Sequence, residues 1–164
     1  MINSRENQHT LDTLFSALRQ ELPAQKYIDL EDKIVQIWQQ APCESSSETI
    51  HQVKRAMQSK QHTEALTLLY YLLERLPQFA EAWHLKALAH YERGELRLSL
   101  DHNKEALKHE PRHFRALSQQ ARIFMLIGDY RAALKCFERL AVIYPKRKSL
   151  SDRILQLRAQ LTQH

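Results

Sequence analysis

Residues 114–145 read FRALSQQARIFMLIGDYRAALKCFERLAVIYP, and one step of 34 earlier the same run of small and turn-forming positions returns as AEAWHLKALAHYERGELRLSL at 80–100. Pro77, Pro111 and Pro145 keep that step, as do Gly94 and Gly128. Four more classes share the register: Ala65/Ser99/Ala133, Leu66/Leu100/Leu134, Val53/Ala87/Ala121 and Leu72/Ala106/Leu140. An internal period of this length marks stacked supersecondary units. Two helices reach the short end of the roughly 8–10 Å interaxial range only where the crossing residues are small, as Ala87 with Ser99 and Ala121 with Ala133 are. Gly94 and Gly128 stand where the first helix of each pair must stop in a left-handed conformation, which glycine adopts without a Cβ penalty. Each proline then forbids the second helix from continuing. One pair cannot bury both its apolar faces, so neighbours are expected to stack into a solenoid with a concave inner surface.

These residues resemble the tetratricopeptide repeat family. Trp83, Ala87 and Gly94 carry the likeness in one unit; Ala121, Gly128, Tyr130, Ala133, Phe137 and Pro145 carry it in the next, with Leu117 in place of the aromatic. A third unit, SETIHQVKRAMQSKQHTEALTLLYYLLERLP (47–77), is degenerate: it keeps Ala65 and Pro77 but has Thr49 for the aromatic and Lys60 for the turn glycine. The resemblance covers residues 46–147 and implies repeats at 46–79, 80–113 and 114–147 of an all-α, right-handed solenoid of about nine helices. It implies non-catalytic binding of a protein or peptide partner. The stretch LDTLFSALRQELPAQKYIDLEDKIVQIW also resembles the leading hairpin of small bacterial proteins of this family.

Outside the repeats, Leu11, Leu14, Phe15, Leu18 and Leu22 recur at helical spacing before Pro23, and a second stripe follows through Leu30, Ile34, Ile37 and Trp38. Residues 11–42 therefore read as a helical hairpin, and CESSSE (43–48) as a flexible polar connector. Leu150, Ile154, Leu157 and Leu161 form the stripe of a cap helix over 148–164, opened by Ser149 and Asp152 in a capping-box-like spacing. Residues 1–10 lack periodicity and are expected to be mobile.

Two glycines in 164 residues leave no glycine-rich phosphate loop. The longest charge-free apolar run, Ala65 to Leu73, is about half of the roughly 20 residues that cross a bilayer, so no membrane span is expected. No secretory leader is visible, and Cys43 and Cys136 lack any metal-ligand or redox spacing, which reads as two reduced thiols in a cytoplasmic protein. No HExxH, GxSxG or paired ligand spacing occurs, so no catalytic, cofactor or metal site is expected. Five histidines (His84, His90, His102, His109 and His113) fall within 30 residues, but Pro111 separates the last two and the faces differ, which favours packed or solvated rings over a metal site.

The first helix of each pair is expected to line the groove. Its inner stripes are Ile50/Lys54/Met57, His84/Leu88/Tyr91 and Ser118/Arg122/Met125, each at i, i+4, i+7 and hence on one face. Met57, Leu88, Tyr91 and Met125 would bury a partner segment, with His84 and Ser118 beside them. Lys54, Arg115 and Arg122 would receive carboxylates. The competing reading is that the amino-terminal hairpin or a second copy covers these groups. A subgroup of the family clamps a partner's terminal carboxylate, and the matching positions here hold Ile50, Lys54, Leu85, Arg115 and Gln119, of which only Lys54 and Arg115 are suited to it. Trp83 reads as packing. Reversing the charge of Arg115 and Arg122 together is expected to abolish capture and leave helicity intact.

Net charge is +5, with eleven Lys/Arg against three Asp/Glu over residues 112–158. This basic lobe, with Arg112, Arg131, Lys146, Arg147 and Lys148 beside Arg115 and Arg122, supports an alternative: binding of nucleic acid or another anionic partner. Phe114, Tyr130 and Tyr144 occupy positions that the repeat normally buries, which leaves few rings for base stacking. A secretion chaperone of three repeats is similar in length, but its glycine-rich helices are absent.

Overall fold

The computed structural model describes residues 4–40 and 43–162. Among them are nine helices and no strand: α1 (Ser4–Leu18), α2 (Ala24–Trp38), α3 (Glu44–Gln58), α4 (His62–Arg75), α5 (Ala80–Glu92), α6 (Leu96–His109), α7 (Phe114–Leu126), α8 (Tyr130–Ile143) and α9 (Lys148–Thr162). Two expectations need correction. Residues 4–10, read as mobile, lie in α1, and most of CESSSE, read as a flexible connector, is the first turn of α3. Serine and glutamate are favoured at helix starts, so their polarity imitated a linker.

The chain divides into two compact units, one from Trp38 to Ala116 and one combining the residues up to Ile37 with those from Leu117 onward. In the first unit, Ile50, Val53, Ala56, Ala65, Leu69 and Leu72 join α3 to α4 in one core that continues into Ala82 and Leu85 of α5. Ala87 and Ser99, the pair expected at the α5–α6 crossing, have no exposed surface. Gly94 stops α5 at φ 77°, and Lys60 takes the same left-handed conformation after α3, at φ 57°, although it carries a side chain.

In the second unit α8 packs on α9, with Leu140 and Ile143 of the one and Ile154 and Leu157 of the other buried, and Gly128 ends α7 at φ 78°. The amino-terminal hairpin belongs here, with the last helices, and not with the α3 that follows it in sequence. Arg147 ties the two ends together: its Nη1 donates to Glu31 Oε1 at 2.9 Å, and its guanidinium lies over the rings of Tyr27 and Tyr144 at 5.4 and 5.2 Å. Arg19 Nη1 donates to the carbonyl of Val142 at 3.1 Å, and the Tyr27 hydroxyl to that of Gln20 at 2.8 Å.

Candidate functional site

Within the first unit, α3, α5 and the start of α7 surround an open cavity of about 420 Å³. Lys54 and Met57 come from α3, Leu85 and Leu88 from α5, Arg115 from the first turn of α7, and Gln39 from the residue after α2. Met57, Leu85 and Leu88 give an apolar lining, and the two cations stand among them. Three of these residues (Lys54, Met57 and Leu88) belong to the stripes that helical spacing groups, and Arg115 is one of the cations expected to receive a carboxylate.

Neither cation is idle. Lys54 Nζ donates to Gln39 Oε1, and Gln39 Nε2 donates to Glu81 Oε1 at 3.0 Å. Arg115 Nη1 donates to the same Glu81 oxygen at 3.3 Å. The other oxygen, Oε2, takes a hydrogen bond from His113 Nε2 at 3.0 Å. His113 precedes α7 and caps it, its Nδ1 accepting the Ala116 N–H at 3.2 Å, so the ring proton sits on Nε2 and points at Glu81. Burial of Glu81 would raise its carboxyl, but the His113 hydrogen bond, with the electrostatic pull of His113, His84 and Arg115, outweighs it and holds the group down to about 2.

His84 corrects the groove as read from the sequence. It shares the face of Leu88 and Tyr91, yet it is only 3% exposed. Its Nδ1 lies 3.1 Å from Asn103 Oδ1 and its ring 4.9 Å from that of His113. Burial, with His113 nearby, lowers its pKa to about 3, so the ring stays neutral. Trp38 stacks on the other face of this cluster, 4.4 Å from His113 and 5.1 Å from Phe114, so the end of α2 packs against the start of α7. Nothing in the 34-residue period announces Trp38 or Gln39, because they come from outside it.

No family model matches the chain. It is 29% identical over 151 residues to a TPR repeat-containing protein of Rhizobium etli, covering 92% of this chain and 74% of that one. Among solved structures it is similar to the TPR2B domain of yeast Sti1 in its pHsp70 complex, with a TM-score of 0.62 and 17% identity over 74% of this chain and 98% of that one. The Sgt2 TPR domain from Aspergillus fumigatus gives a TM-score of 0.63, also at 17% identity, over 74% of this chain and 82% of its own. The chain has the all-α helical-repeat fold of TPR domains.

At the positions where a subgroup of TPR domains clamps a carboxylate, Ile50, Leu85 and Gln119 are buried at 1%, 4% and 5% exposure, which leaves Lys54 and Arg115. The inner stripe of the third repeat lies beyond the first unit, with Ser118 and Arg122 exposed and Met125 half-buried in the second. Tyr91 is half-buried and does not line the cavity.

The basic lobe loses two of its members to internal pairs. Arg112 Nε donates to Glu110 at 3.2 Å, and Arg147 is bound to Glu31 and covers two rings; Arg131, Lys146 and Lys148 remain exposed. Glu31 lies 116 positions from Arg147, so charge counting along the carboxyl third could not include it. Histidines of α5 and α6 pack as rings: His102 stacks on His90 at 5.0 Å and on Trp83 at 5.6 Å. The described residues hold no group of three or more His, Cys, Asp or Glu suited to a metal, and no helix among them is long and apolar enough to cross a membrane. Cys43 is exposed, its thiol lowered to about 7 by the Ser45 and Ser46 hydroxyls, whereas burial raises Cys136 to about 11.

Proposed function

We propose that this chain is a non-catalytic binding module whose first unit takes a peptide segment of a partner protein in the Lys54/Met57/Leu88/Arg115 cavity. The observation that carries this reading is the convergence of residues from three repeats on one open cavity with an apolar lining and two cations. Such a site suits a segment with an apolar side chain beside a carboxylate, since each cation retains donors beyond those already bonded. Solved TPR domains of yeast Sti1 in complexes with pHsp70 and pHSP90 lend support by fold, and the latter aligns with 93% of this chain and 62% of its own at 17% identity, with a TM-score of 0.61.

The test is selection from a library of random octapeptides, half carrying Asp or Glu and half with those residues excluded, against the full chain and the Lys54→Glu and Met57→Glu variants. Acid-bearing peptides with an apolar neighbour should be enriched by the parent chain. Both variants should lose that enrichment while keeping the helical circular dichroism signal. Enrichment that survives both substitutions would move the site elsewhere, and absence of any enrichment would remove the reading.

A further inference from the structure

A second cavity of the first unit, about 490 Å³, opens where α4 turns into α5. Trp38, Leu76, Pro77, Phe79 and Ala80 form its apolar lining. The volume falls within the roughly 300–1,000 Å³ typical of small-molecule sites, whose walls are mostly apolar and aromatic with a few polar groups. The walls are held from behind. His113 stacks on Trp38 at 4.4 Å, the indole N–H of Trp83 donates to the Pro77 carbonyl at 2.8 Å, and Phe79 packs on the α3–α5 core. Such a pocket does not have to be built when a ligand arrives, which lowers the ordering cost of binding.

Charge decides what kind of ligand fits. Two ionised groups line the cavity, Glu81 and Arg75. Glu81 is consumed: Gln39 and Arg115 bond one of its oxygens and His113 the other. Arg75 is exposed at the end of α4 and forms no ion pair among the described residues, and its field reaches as far as the Cys43 thiol. The cavity therefore offers one uncompensated cation beside an aromatic and aliphatic surface. From this we infer a second binding site, distinct from the peptide cavity: a pocket for a small amphiphilic anion. The ligand's apolar body lies against Trp38 and Phe79, and its carboxylate or sulfonate pairs with Arg75. Its polar head stays near solvent, where the guanidinium also stays hydrated, so the pair avoids the full desolvation cost of a buried ion pair.

The probes are 1-anilinonaphthalene-8-sulfonate, followed by fluorescence, and dodecanoate below its micellar range, followed by calorimetry and by displacement of the first. Both should bind the full chain with one-to-one stoichiometry. Arg75→Glu, an exposed position, should weaken dodecanoate at least tenfold. Ala80→Phe, at the half-exposed start of α5, should fill the pocket and abolish binding of both probes. Dodecyltrimethylammonium, with the same chain and the opposite charge, should fail to displace the fluorophore. Lys54→Glu, in the peptide cavity, should leave the titration unchanged, so that failure of this site and failure of the peptide reading can be told apart. Binding that is equal in all variants would mean general apolar adhesion and would overturn the proposal. So would displacement by the cationic amphiphile at similar concentration, or no binding of either probe.

Discussion

Lys60 and Gly94 occupy equivalent turns of successive repeats and share one backbone conformation, φ 57° and 77°, with opposite side-chain consequences. The left-handed region costs an L-residue roughly 1–2 kcal/mol. Lys60→Gly removes that strain but gives the unfolded chain more freedom, which takes back about 0.4–1 kcal/mol. The expected net gain is about 0.5–1 kcal/mol. Gly94→Ala runs the same balance in reverse, and no atom lies within 4 Å of where the added Cβ would sit, so no clash adds to it. The two substitutions should therefore shift stability by similar amounts in opposite directions. Urea unfolding followed by far-ultraviolet circular dichroism measures this as a midpoint rising for Lys60→Gly and falling for Gly94→Ala at constant slope. A lower midpoint for Lys60→Gly, or an unchanged one for Gly94→Ala, would refute the claim that the degenerate repeat keeps the glycine geometry without the glycine.

Ala87→Leu should lower the thermal midpoint, because Ala87 and Ser99 are both fully buried and overpacking costs on the order of 1–3 kcal/mol; an unchanged midpoint would place the helix crossing elsewhere. Stability should fall on acidification. His84 is depressed from 6.5 to about 3 and Glu81 from 4.5 to about 2, so in both cases the unfolded chain takes up a proton that the folded chain refuses. Their contributions are fully present above about pH 6.5 for His84 and 4.5 for Glu81, and they are lost toward pH 3 and 2. His84→Gln should flatten the limb between pH 6.5 and 4.5 in urea titrations at stepped pH, and a parent chain equally stable at pH 7 and 5 would contradict this. Arg115→Glu should lower stability by roughly 1–3 kcal/mol, since it takes one charged donor from the buried Glu81 and sets a second carboxylate near it, while His113 and Gln39 still donate. The Glu81 contact sets this prediction against the expectation from sequence that a double reversal with Arg122 leaves helicity intact, and equal unfolding midpoints for parent and Arg115→Glu would refute it.

What the sequence made legible is what sterics impose on it. A close helix crossing admits only residues such as Ala87 and Ser99, and a left-handed stop favours Gly94 and Gly128, so these positions repeat every 34 residues and can be counted. The side chains that line the peptide cavity were half legible for a related reason. Spacing of i, i+4, i+7 fixes which residues share a helix face, and it correctly joined Lys54 to Met57. It does not fix what lies over that face, so His84 was grouped with Leu88 although it is buried against His113 and Asn103. Gln39, Trp38 and Glu31 act on partners far along the chain, and no local period links them.

The buried carboxylate accounts for why the cavity and the fold cannot be separated at Arg115. Glu81 could not remain ionised under complete burial without several donors, and the unit supplies them from three places: His113 just before α7, Arg115 in its first turn, and Gln39 after α2. Gln39 then spends its carbonyl on Lys54, so both cations of the cavity are oriented by contacts that converge on a single buried charge. Orienting groups in this way limits their rotamers before a partner arrives, which reduces the entropy lost on binding. It also makes each cation a weaker partner for a new anion than a free one, because its charge is already partly compensated by the Glu81 carboxylate or the Gln39 carbonyl although donors remain. If the proposed reading holds, a partner's carboxylate at this site would contribute selectivity and alignment more than affinity. Most of the affinity would then come from apolar side chains seated on Met57, Leu85 and Leu88, where no prior partner competes with the same directionality.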